Sequence, residues 1–275
     1  MHNVILVHGA WHGSWCWSLV TEQLAGRGIS SVAVDLDGHG LKSRSPASRW
    51  RRPFDPASYA TERAGGPAIT VTSAASTLAE QIKTIGGGAP CVVVAHSMAG
   101  IIAGAAAELA PELFARLTYV SAYAPVTGQP GEAYFYAPEA AGSLVPSLLA
   151  ADPAAAGALR IDTGDVARHE AIRETFYGDV GDVTAAAAIS LLTPDASTGI
   201  SGETFMVTTG RYGAVPHTYV VCTRDNANPV ALQRRFIAEI DAISTAPTAV
   251  VELDSSHSPM LSQPAALAAI IAEAR

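Results

Sequence analysis

Residues 91–104 read CVVVAHSMAGIIAG, the stretch that most clearly indicates the fold. The apolar run at 92–94 predicts a buried strand, and the small apolar residues of 98–110 predict a helix directly after it. Ser97 stands where the strand gives way to the helix. A serine in such a turn is either a catalytic nucleophile or a small residue that links two elements.

Small residues surround Ser97 on both sides. Ala95 and Ala99 lie two positions before and after it, and Gly100 follows. A sharp strand-to-helix turn needs small neighbours because it leaves no room for larger side chains, as in the G-x-S-x-G pattern of nucleophilic serines. Both glycines of that pattern are alanines here, so the local sequence leaves both interpretations open.

Short apolar runs of this kind recur, and helical stretches separate them. Runs that are apolar at nearly every position are typical of strands buried on both faces of a parallel sheet. Predicted strands lie near 3–7, 31–35, 91–95, 117–121, 217–222 and 248–253. Predicted helices cover 15–27, 72–85, 98–110, 229–243 and 264–274. The alternation predicts an α/β fold, a doubly wound and mostly parallel sheet of about six strands with helices on both faces.

Two segments interrupt this alternation. Residues 123–216, rich in Ala, Pro and Gly, predict a helical cap insertion over one edge of the sheet. Residues 1–122 and 217–275 then form the α/β core, and the whole is one structural domain. Residues 41–71 form a long polar loop that contains arginines. The simpler interpretation of this loop is a solvated surface, and the alternative is an entrance that attracts an anionic group.

Composition limits the classes of function. The 275 residues carry 17 basic and 25 acidic side chains, a net charge of −8, which disfavours nucleic acid as a partner. The three cysteines are far apart and odd in number, so a reducing cytoplasm is the expected location. No targeting segment and no membrane span are expected. The consecutive glycines of 86–88 do not form a dinucleotide-binding turn, so no cofactor is expected, and nothing indicates the oligomeric state.

A serine hydroxyl needs a base to become nucleophilic, and His257 is the candidate. It follows the last predicted strand and precedes a helix that starts at Pro264. Asp225 follows the fifth predicted strand, where a carboxylate would hold the imidazole tautomer. The order Ser97, Asp225, His257 matches the Ser…Asp…His order of α/β hydrolases. The plainer alternatives are a surface or core histidine and a turn aspartate.

Acyl transfer also needs donors for the oxyanion that develops on the carbonyl oxygen. The backbone N–H of Met98, at the start of the predicted helix, is one expected donor. The loop after the first strand reads HGAW at 8–11. The Ala10 N–H is the expected second donor, because Gly9 allows the backbone to approach closely. His8 is expected to be structural.

Four stretches and one aspartate together resemble the α/β-hydrolase superfamily. They are HGAWHGSWCW (8–17), VDLDGHG (34–40), AHSMAG (95–100), SHSPMLSQP (256–264) and Asp225. More narrowly, the chain resembles the branch that contains plant methylesterases, hydroxynitrile lyases and bacterial pyrethroid-hydrolase-like carboxylesterases. RETFYGD (173–179) is similar to a cap segment of the bacterial esterases. The resemblance implies that Ser97, Asp225 and His257 form a catalytic triad.

The same branch contains lyases, and two positions bear on that alternative. Its lyases have a threonine in the oxyanion loop and a lysine directly after the catalytic histidine. Here the loop has Gly9, and Ser258 follows His257, so the lyase signature is absent. The resemblance therefore favours a serine carboxylesterase that hydrolyses a hydrophobic or aromatic ester. A lyase, acyl-transfer or cyclase enzyme on the same triad and a slow-turnover ligand-binding receptor stay open as alternatives.

Aromatic residues of the cap and the first loop suggest an apolar pocket for a small-molecule ester. Gly9, Trp11, Tyr123 and Met260 are the candidate lining residues, although most of the aromatic side chains are expected in the core. No metal is expected, because no cluster of His, Asp and Glu has the spacing of a ligand set.

Overall fold

A six-stranded sheet lies at the centre of the protein in the computed structural model, which describes residues 2–274. The strands of this part of the chain are β1 (Val4–Val7), β2 (Ser31–Val34), β3 (Cys91–His96), β4 (Phe114–Val120), β5 (Ala158–Arg160), β6 (Asp195–Ser197), β7 (His217–Cys222) and β8 (Ala249–Leu253). In the central sheet the order is β2-β1-β3-β4-β7-β8, and every neighbouring pair is parallel. This confirms the predicted doubly wound α/β architecture.

Helices cover both faces of the sheet. The helices of the part of the chain that the structure describes are α1 (Ser18–Ala25), α2 (Pro56–Thr61), α3 (Val71–Gly86), α4 (Ala99–Leu109), α5 (Pro153–Ala156), α6 (His169–Phe176), α7 (Asp182–Leu191), α8 (Thr198–Gly202), α9 (Val230–Asp241), α10 (Pro259–Ser262) and α11 (Pro264–Glu273), and five of them cover the sheet. Helices α1 and α11 pack on one face, and α3, α4 and α9 pack on the other. Between residues 2 and 274, no helix is both long and apolar enough to cross a bilayer.

Strand β3 shows why its sequence is apolar throughout. Successive side chains of a strand point to opposite faces of the sheet. Val92 and Val94 therefore pack with α1 and α11, whereas Val93 and Ala95 pack with α3, α4 and α9. All four side chains are fully buried, because helices cover both faces of this central strand.

The edge strands β2 and β8 differ from that prediction. Val32 of β2 and Val250 of β8 are each 40% exposed. The expectation that every strand is buried on both faces is therefore wrong at the two edges. The helices that cover the centre of the sheet leave its margins partly open to solvent, and β-branched residues remain there because they suit an extended backbone.

The segment between β4 and β7 stands over the carboxyl ends of the strands and contains helices α5 to α8. It also contains the antiparallel pair β5–β6, in which Ala158 pairs with Ser197 and Arg160 with Asp195. The composition predicted a helical cap, but the cap also contains this small sheet. Strands of three residues are too short to show a period of two in the sequence.

The polar loop 41–71 is partly ordered into secondary structure. It contains α2, whose first turn is capped by the Asp55 carboxylate accepting from the Ala57 N–H. The buried Tyr59 hydroxyl donates to the Ile161 carbonyl at 2.7 Å, which joins α2 to the cap. The loop therefore supports the outside of the cap.

Candidate active site

Three residues other than glycine adopt a left-handed backbone within residues 2–274, and all lie beyond carboxyl ends of central strands. Trp11, Ser97 and Ser121 have φ values of 63°, 52° and 41° and follow β1, β3 and β4. Such backbone conformations cost about 1–3 kcal/mol each and cluster at functional sites. This edge of the sheet, beneath the cap, is the candidate active site.

Ser97 occupies the turn between β3 and α4. Its N–H donates to the Val120 carbonyl at 3.3 Å. Its carbonyl accepts from the N–H groups of Gly100 and Tyr123, both at 2.9 Å. The serine backbone is thus held by the strand next to it and by the helix that follows, which fixes the direction of its side chain.

The two alanines beside this turn fit because their methyl groups enter the core. Ala95 and Ala99 are fully buried and belong to the cluster beneath α3 and α4. The position that tolerates no side chain is Gly100, where a Cβ atom would lie 2.5 Å from the Tyr123 carbonyl oxygen. The need for glycine therefore falls three residues after Ser97 and not two.

The loop after β1 approaches Ser97 closely. A Cβ atom at Gly9 would lie 2.6 Å from the Ser97 Cβ and 3.1 Å from its Oγ, so only glycine fits there. Within residues 2–274, neither the Ala10 N–H nor the Met98 N–H donates a hydrogen bond. Two unpaired backbone donors beside a serine hydroxyl can stabilise an oxyanion.

A buried histidine orients one of these donors. The Leu36 N–H donates to His8 Nε2 at 3.1 Å, so the proton of this ring is on Nδ1. His8 Nδ1 then donates to the Gly9 carbonyl at 2.8 Å. Because the Gly9 carbonyl and the Ala10 N–H belong to one peptide group, His8 fixes the direction in which that N–H points.

A second buried histidine joins the same loop to the cap. His12 Nδ1 lies 2.8 Å from the Ala10 carbonyl and must carry the proton to bond with it. Nε2 then accepts from the Tyr177 hydroxyl, 2.9 Å away in the cap. The loop that carries Ala10 is therefore held from below by His8 and from above by Tyr177.

These histidines remain neutral at physiological pH. Burial, followed by the nearby His39, lowers the pKa of His8 to about 3. Burial is also the main cause that lowers the pKa of His12 to about 4. His96 has its ring centroid 4.6 Å from that of His257, and burial, then the proximity of His257, holds its pKa well below the usual range. Neutral rings suit the single-donor hydrogen bonds described above.

His257 is oriented by a carboxylate. Its Nδ1 lies 2.7 Å from Asp225 Oδ2, and both side chains are buried. Asp225 Oδ1 accepts from the N–H groups of Ala227 and Asn228 at 2.7 and 2.8 Å. Both carboxylate oxygens are thus engaged, and Nε2 of the imidazole is left to face the cavity. Asp254, the carboxylate nearest to His257 in sequence, is instead 80% exposed and ion-paired with an arginine.

Ser121 is a site residue that sequence reasoning did not single out. Its hydroxyl donates to Asp225 Oδ2 and lies 3.5 Å from His257 Nδ1. Its position directly after β4, next to the strand that carries Ser97, is a signal that could have identified it. Asn228 was also missed, and its amide donates to the carbonyls of Ser121 and Ala122 at 3.2 and 3.1 Å.

Ser97 and His257 meet at one cavity of about 390 Å³. No hydrogen bond joins the Ser97 hydroxyl to His257 within the described chain, and such contacts often tighten only when substrate binds. Apolar side chains predominate in the wall. They include Trp11, Met98, Ile101, Tyr123, Phe135, Tyr136, Val145, Pro146, Leu149, Leu159, Phe176 and Leu232. Among the described lining residues Glu132 is the one acidic side chain, and none is lysine or arginine.

The structure brings most of the predicted site residues to this cavity but not all. Met260 does not line it: its side chain is fully buried in the core between the sheet and helices α1 and α11. Gly9 packs against Ser97 and is likewise not part of the wall. No residue of loop 41–71 lines the cavity, which argues against the entrance interpretation. Within residues 2–274 no three His, Cys, Asp or Glu side chains converge to hold a metal ion.

Comparison with known sequences decides the family. The pattern of the alpha/beta hydrolase family matches residues 4–270. The chain belongs to this family. It is 29% identical over 283 residues to methylesterase 7 of Arabidopsis thaliana, covering 98% of this chain and 94% of the relative. It is 26% identical over 276 residues to a pyrethroid hydrolase of Sphingobium wenxiniae, covering 98% of this chain and 86% of the relative.

Solved structures show the same α/β-hydrolase fold. A pyrethroid hydrolase, PytH, superposes with a TM-score of 0.77 at 24% identity, covering 99% of this chain and 96% of that chain. Polyneuridine aldehyde esterase superposes with a TM-score of 0.72 at 21% identity, covering 99% of each chain. The likeness extends over the cap as well as the sheet, because nearly the whole of each chain is covered.

Proposed function

We propose that this α/β hydrolase is a serine carboxylesterase that acts on a hydrophobic or aromatic ester. The observation that carries the proposal is the meeting of Ser97 and the Asp225-oriented His257 at one apolar cavity, with two unpaired backbone N–H groups beside the serine. The names of the relatives, methylesterases and a pyrethroid hydrolase, support ester hydrolysis as the reaction.

In the acylation step, His257 Nε2 removes the proton of the Ser97 hydroxyl as Oγ attacks the ester carbonyl carbon. The imidazolium that forms is stabilised by Asp225, to which Nδ1–H donates. The negative charge on the carbonyl oxygen is met by the N–H groups of Ala10 and Met98. Collapse of the intermediate expels the alcohol, which takes the proton from His257 Nε2.

Deacylation repeats the same steps with water. His257 Nε2 takes a proton from a water molecule, whose oxygen attacks the acyl carbon bound to Ser97 Oγ. The same two N–H groups stabilise the second oxyanion. Release of the acid returns the proton to Ser97, so the enzyme ends each cycle unchanged and needs no cofactor.

The cavity wall supports an uncharged, largely apolar substrate. Aromatic and aliphatic side chains form most of its surface, which favours ligands with a hydrophobic or aromatic portion. A lyase that expels an anion would need a cation at this site, and none of the described lining residues is lysine or arginine. Ser258, which follows His257, is buried and uncharged.

Substitution of the nucleophile tests the proposal. We expect Ser97→Ala to reduce hydrolysis of p-nitrophenyl acetate to the background rate without loss of fold, because no other group takes the role of Oγ. Ser190→Ala, on the exposed face of α7, is the matched control and should keep wild-type turnover. Undiminished turnover in Ser97→Ala would remove the serine from the mechanism. Saturable ester binding without steady-state turnover in the wild type would favour the receptor alternative.

A further inference from the structure

One short segment of the cap, residues 176–179, contacts the loops that carry the candidate site residues. It starts at the last residue of α6. The Phe176 ring centroid lies 5.6 Å from that of Trp11 and 5.8 Å from that of His257. The next residue, Tyr177, donates to His12 of the oxyanion loop. This segment therefore borders both the loop after β1 and the loop after β8.

Asp179, at the end of this segment, bridges the two loops that carry the Asp–His pair. Its Oδ1 accepts a hydrogen bond from the Ser256 hydroxyl, and its Oδ2 lies 3.6 Å from Arg224 Nη2. Ser256 directly precedes His257, and Arg224 directly precedes Asp225. One carboxylate thus contacts the residue before each partner of the 2.7 Å hydrogen bond.

The surroundings of Asp179 favour its charged form. The side chain is 10% exposed, so it is mostly removed from water. Burial raises the pKa of the carboxyl, but hydrogen bonds from the Ser256 hydroxyl and backbone N–H outweigh that effect and hold the pKa below the usual value. The Ser256 contact is the stronger of the two, because its loss would leave a mostly buried carboxylate poorly solvated, whereas the Arg224 side chain is 55% exposed and also pairs with Asp254.

We propose that Asp179 is a positioning residue, which holds the loops of Asp225 and His257 at the separation that their hydrogen bond requires. The inference rests on the proposed serine hydrolase function for its kinetic consequence. It also gives the cap a role in catalysis beyond forming the cavity wall. Asp179 contacts neither Ser97 nor the cavity, so it acts through the two loops.

Asp179→Asn is the direct test. The neutral amide is nearly the same size, but it loses the ion pair with Arg224 and weakens the bond from Ser256. We expect kcat for p-nitrophenyl acetate to fall about 10- to 100-fold, because small displacements of catalytic groups have effects of this order. KM should stay within about twofold, since the wall of the cavity is unchanged. Asp182→Asn is the matched control: that carboxylate is 87% exposed, pairs with Arg173, and should leave kcat unchanged.

A double-mutant cycle separates positioning from general damage to the fold. Ser256→Ala removes the other end of the same contact and is a mild change if Asp179→Asn fails to fold. If the two residues act through one contact, the double variant should lose no more activity than the stronger single variant. Asp179→Glu should recover part of the loss. Multiplicative losses in the double variant, or kcat within twofold of wild type in folded Asp179→Asn, would overturn the proposal.

A spectroscopic readout distinguishes this inference from the proposed function. The proton between His257 Nδ1 and Asp225 gives a low-field NMR resonance when it is shielded from exchange with water. We expect Asp179→Asn to shift or broaden that resonance, and Asp182→Asn to leave it in place. A resonance unchanged by Asp179→Asn refutes the positioning role. Activity that survives Ser97→Ala refutes the proposed function, whatever the resonance does.

Discussion

At the residue scale, the candidate site depends on positions where one additional atom would not fit. A side chain at Gly9 would meet both Cβ and Oγ of Ser97, and one at Gly100 would meet the backbone of Tyr123. The first contact brings the loop after β1 against Ser97, and the second brings α4 against the chain that follows β4. Glycine is required at these two places for closeness of approach and not for a left-handed backbone.

Gly9→Ala tests that requirement. The new methyl group would lie 2.6 Å from the Ser97 Cβ, so the loop after β1 must move away and take the Ala10 N–H, the proposed oxyanion donor, with it. We expect kcat for p-nitrophenyl acetate to fall about 100-fold or more, the usual effect of losing an oxyanion donor.

Gly65→Ala is the control for this change, because a Cβ atom there meets nothing within 4 Å and the residue lies in the exposed loop 41–71. Its kinetics should equal those of the wild type. Wild-type kcat in a folded Gly9→Ala enzyme would show that the loop is not part of the oxyanion site.

The candidate triad could be predicted from sequence because each member follows a strand of one parallel sheet, and parallel strands bring their carboxyl ends together. Ser121 follows strand β4 of the same sheet, and the same rule could have identified it. The hydrogen bond from Tyr177 to His12 could not be predicted from the sequence, since 165 residues separate its two partners along the chain. Met260 was placed wrongly because nearness to His257 in sequence does not decide on which face of the sheet a side chain lies.

At the scale of elements, a buried arginine joins the cap strands to loop 41–71. The Arg160 side chain is fully buried, and its Nε and Nη2 donate to the two Asp195 oxygens at 2.7 Å each, across the β5–β6 pair. Nη1 donates to the carbonyls of Tyr59 and Glu62 at 2.6 Å each. This one side chain in β5 therefore satisfies acceptors from two other parts of the chain, β6 and the end of α2.

Arg160→Met should destabilise the protein strongly. Methionine fills a similar volume, but it leaves the Asp195 carboxylate, only 11% exposed, without its partner. Breaking a buried ion pair in this way costs about 3–5 kcal/mol, and urea unfolding followed by circular dichroism would measure the loss. Arg173→Met is the comparison, since its pair with Asp182 is exposed and such pairs contribute about 1 kcal/mol or less. Equal losses in the two variants would contradict the role given to Arg160.

Long strands and helices could be predicted from the sequence, whereas the shortest strands could not. The six core strands stand out as unbroken apolar runs and the long helices α3 and α4 as longer stretches of apolar or small residues, and the sequence shows them to within a few residues. The pair β5–β6 has only three residues a strand, and the buried Arg160–Asp195 ion pair joins its two strands. Interactions between distant segments of this kind are not visible in a hydrophobic period.

At the scale of the whole molecule, several histidines are buried in neutral form. Burial is the main cause that lowers the pKa of His217 to about 4. Burial is also the main cause of the lowered pKa values of His8, His12 and His96. His217 begins β7, at the opposite end of that strand from the candidate site, and its Nδ1 is 3.1 Å from the hydroxyl of Ser244, which follows α9. Neutral burial of histidine is thus not confined to the candidate active site.

This burial predicts how stability depends on pH. Histidine in the unfolded chain titrates near pH 6.5, whereas the folded pKa of these groups is depressed. Between about pH 6.5 and pH 4 the unfolded chain therefore binds protons that the folded protein does not, and the free energy of unfolding falls as pH falls. Each such histidine contributes up to about 1.4 kcal/mol per pH unit over that window. Between about pH 6 and pH 5, where carboxylates are largely ionised, these four histidines should together take up roughly three to four protons on unfolding.

Urea unfolding at a series of pH values measures this slope. His217→Gln removes one of the titrating groups without touching the candidate site. The number of protons that this variant takes up on unfolding, read from the slope of its free energy of unfolding against pH, should be lower by about one. The difference between the two slopes isolates a single histidine and is not affected by titration of the other groups. A free energy of unfolding that stays constant or rises as pH is lowered from 6 to 5 would contradict the neutral burial of these side chains. It would also remove the basis for the tautomers assigned to His8 and His12, because a doubly protonated ring could not accept from the Leu36 N–H.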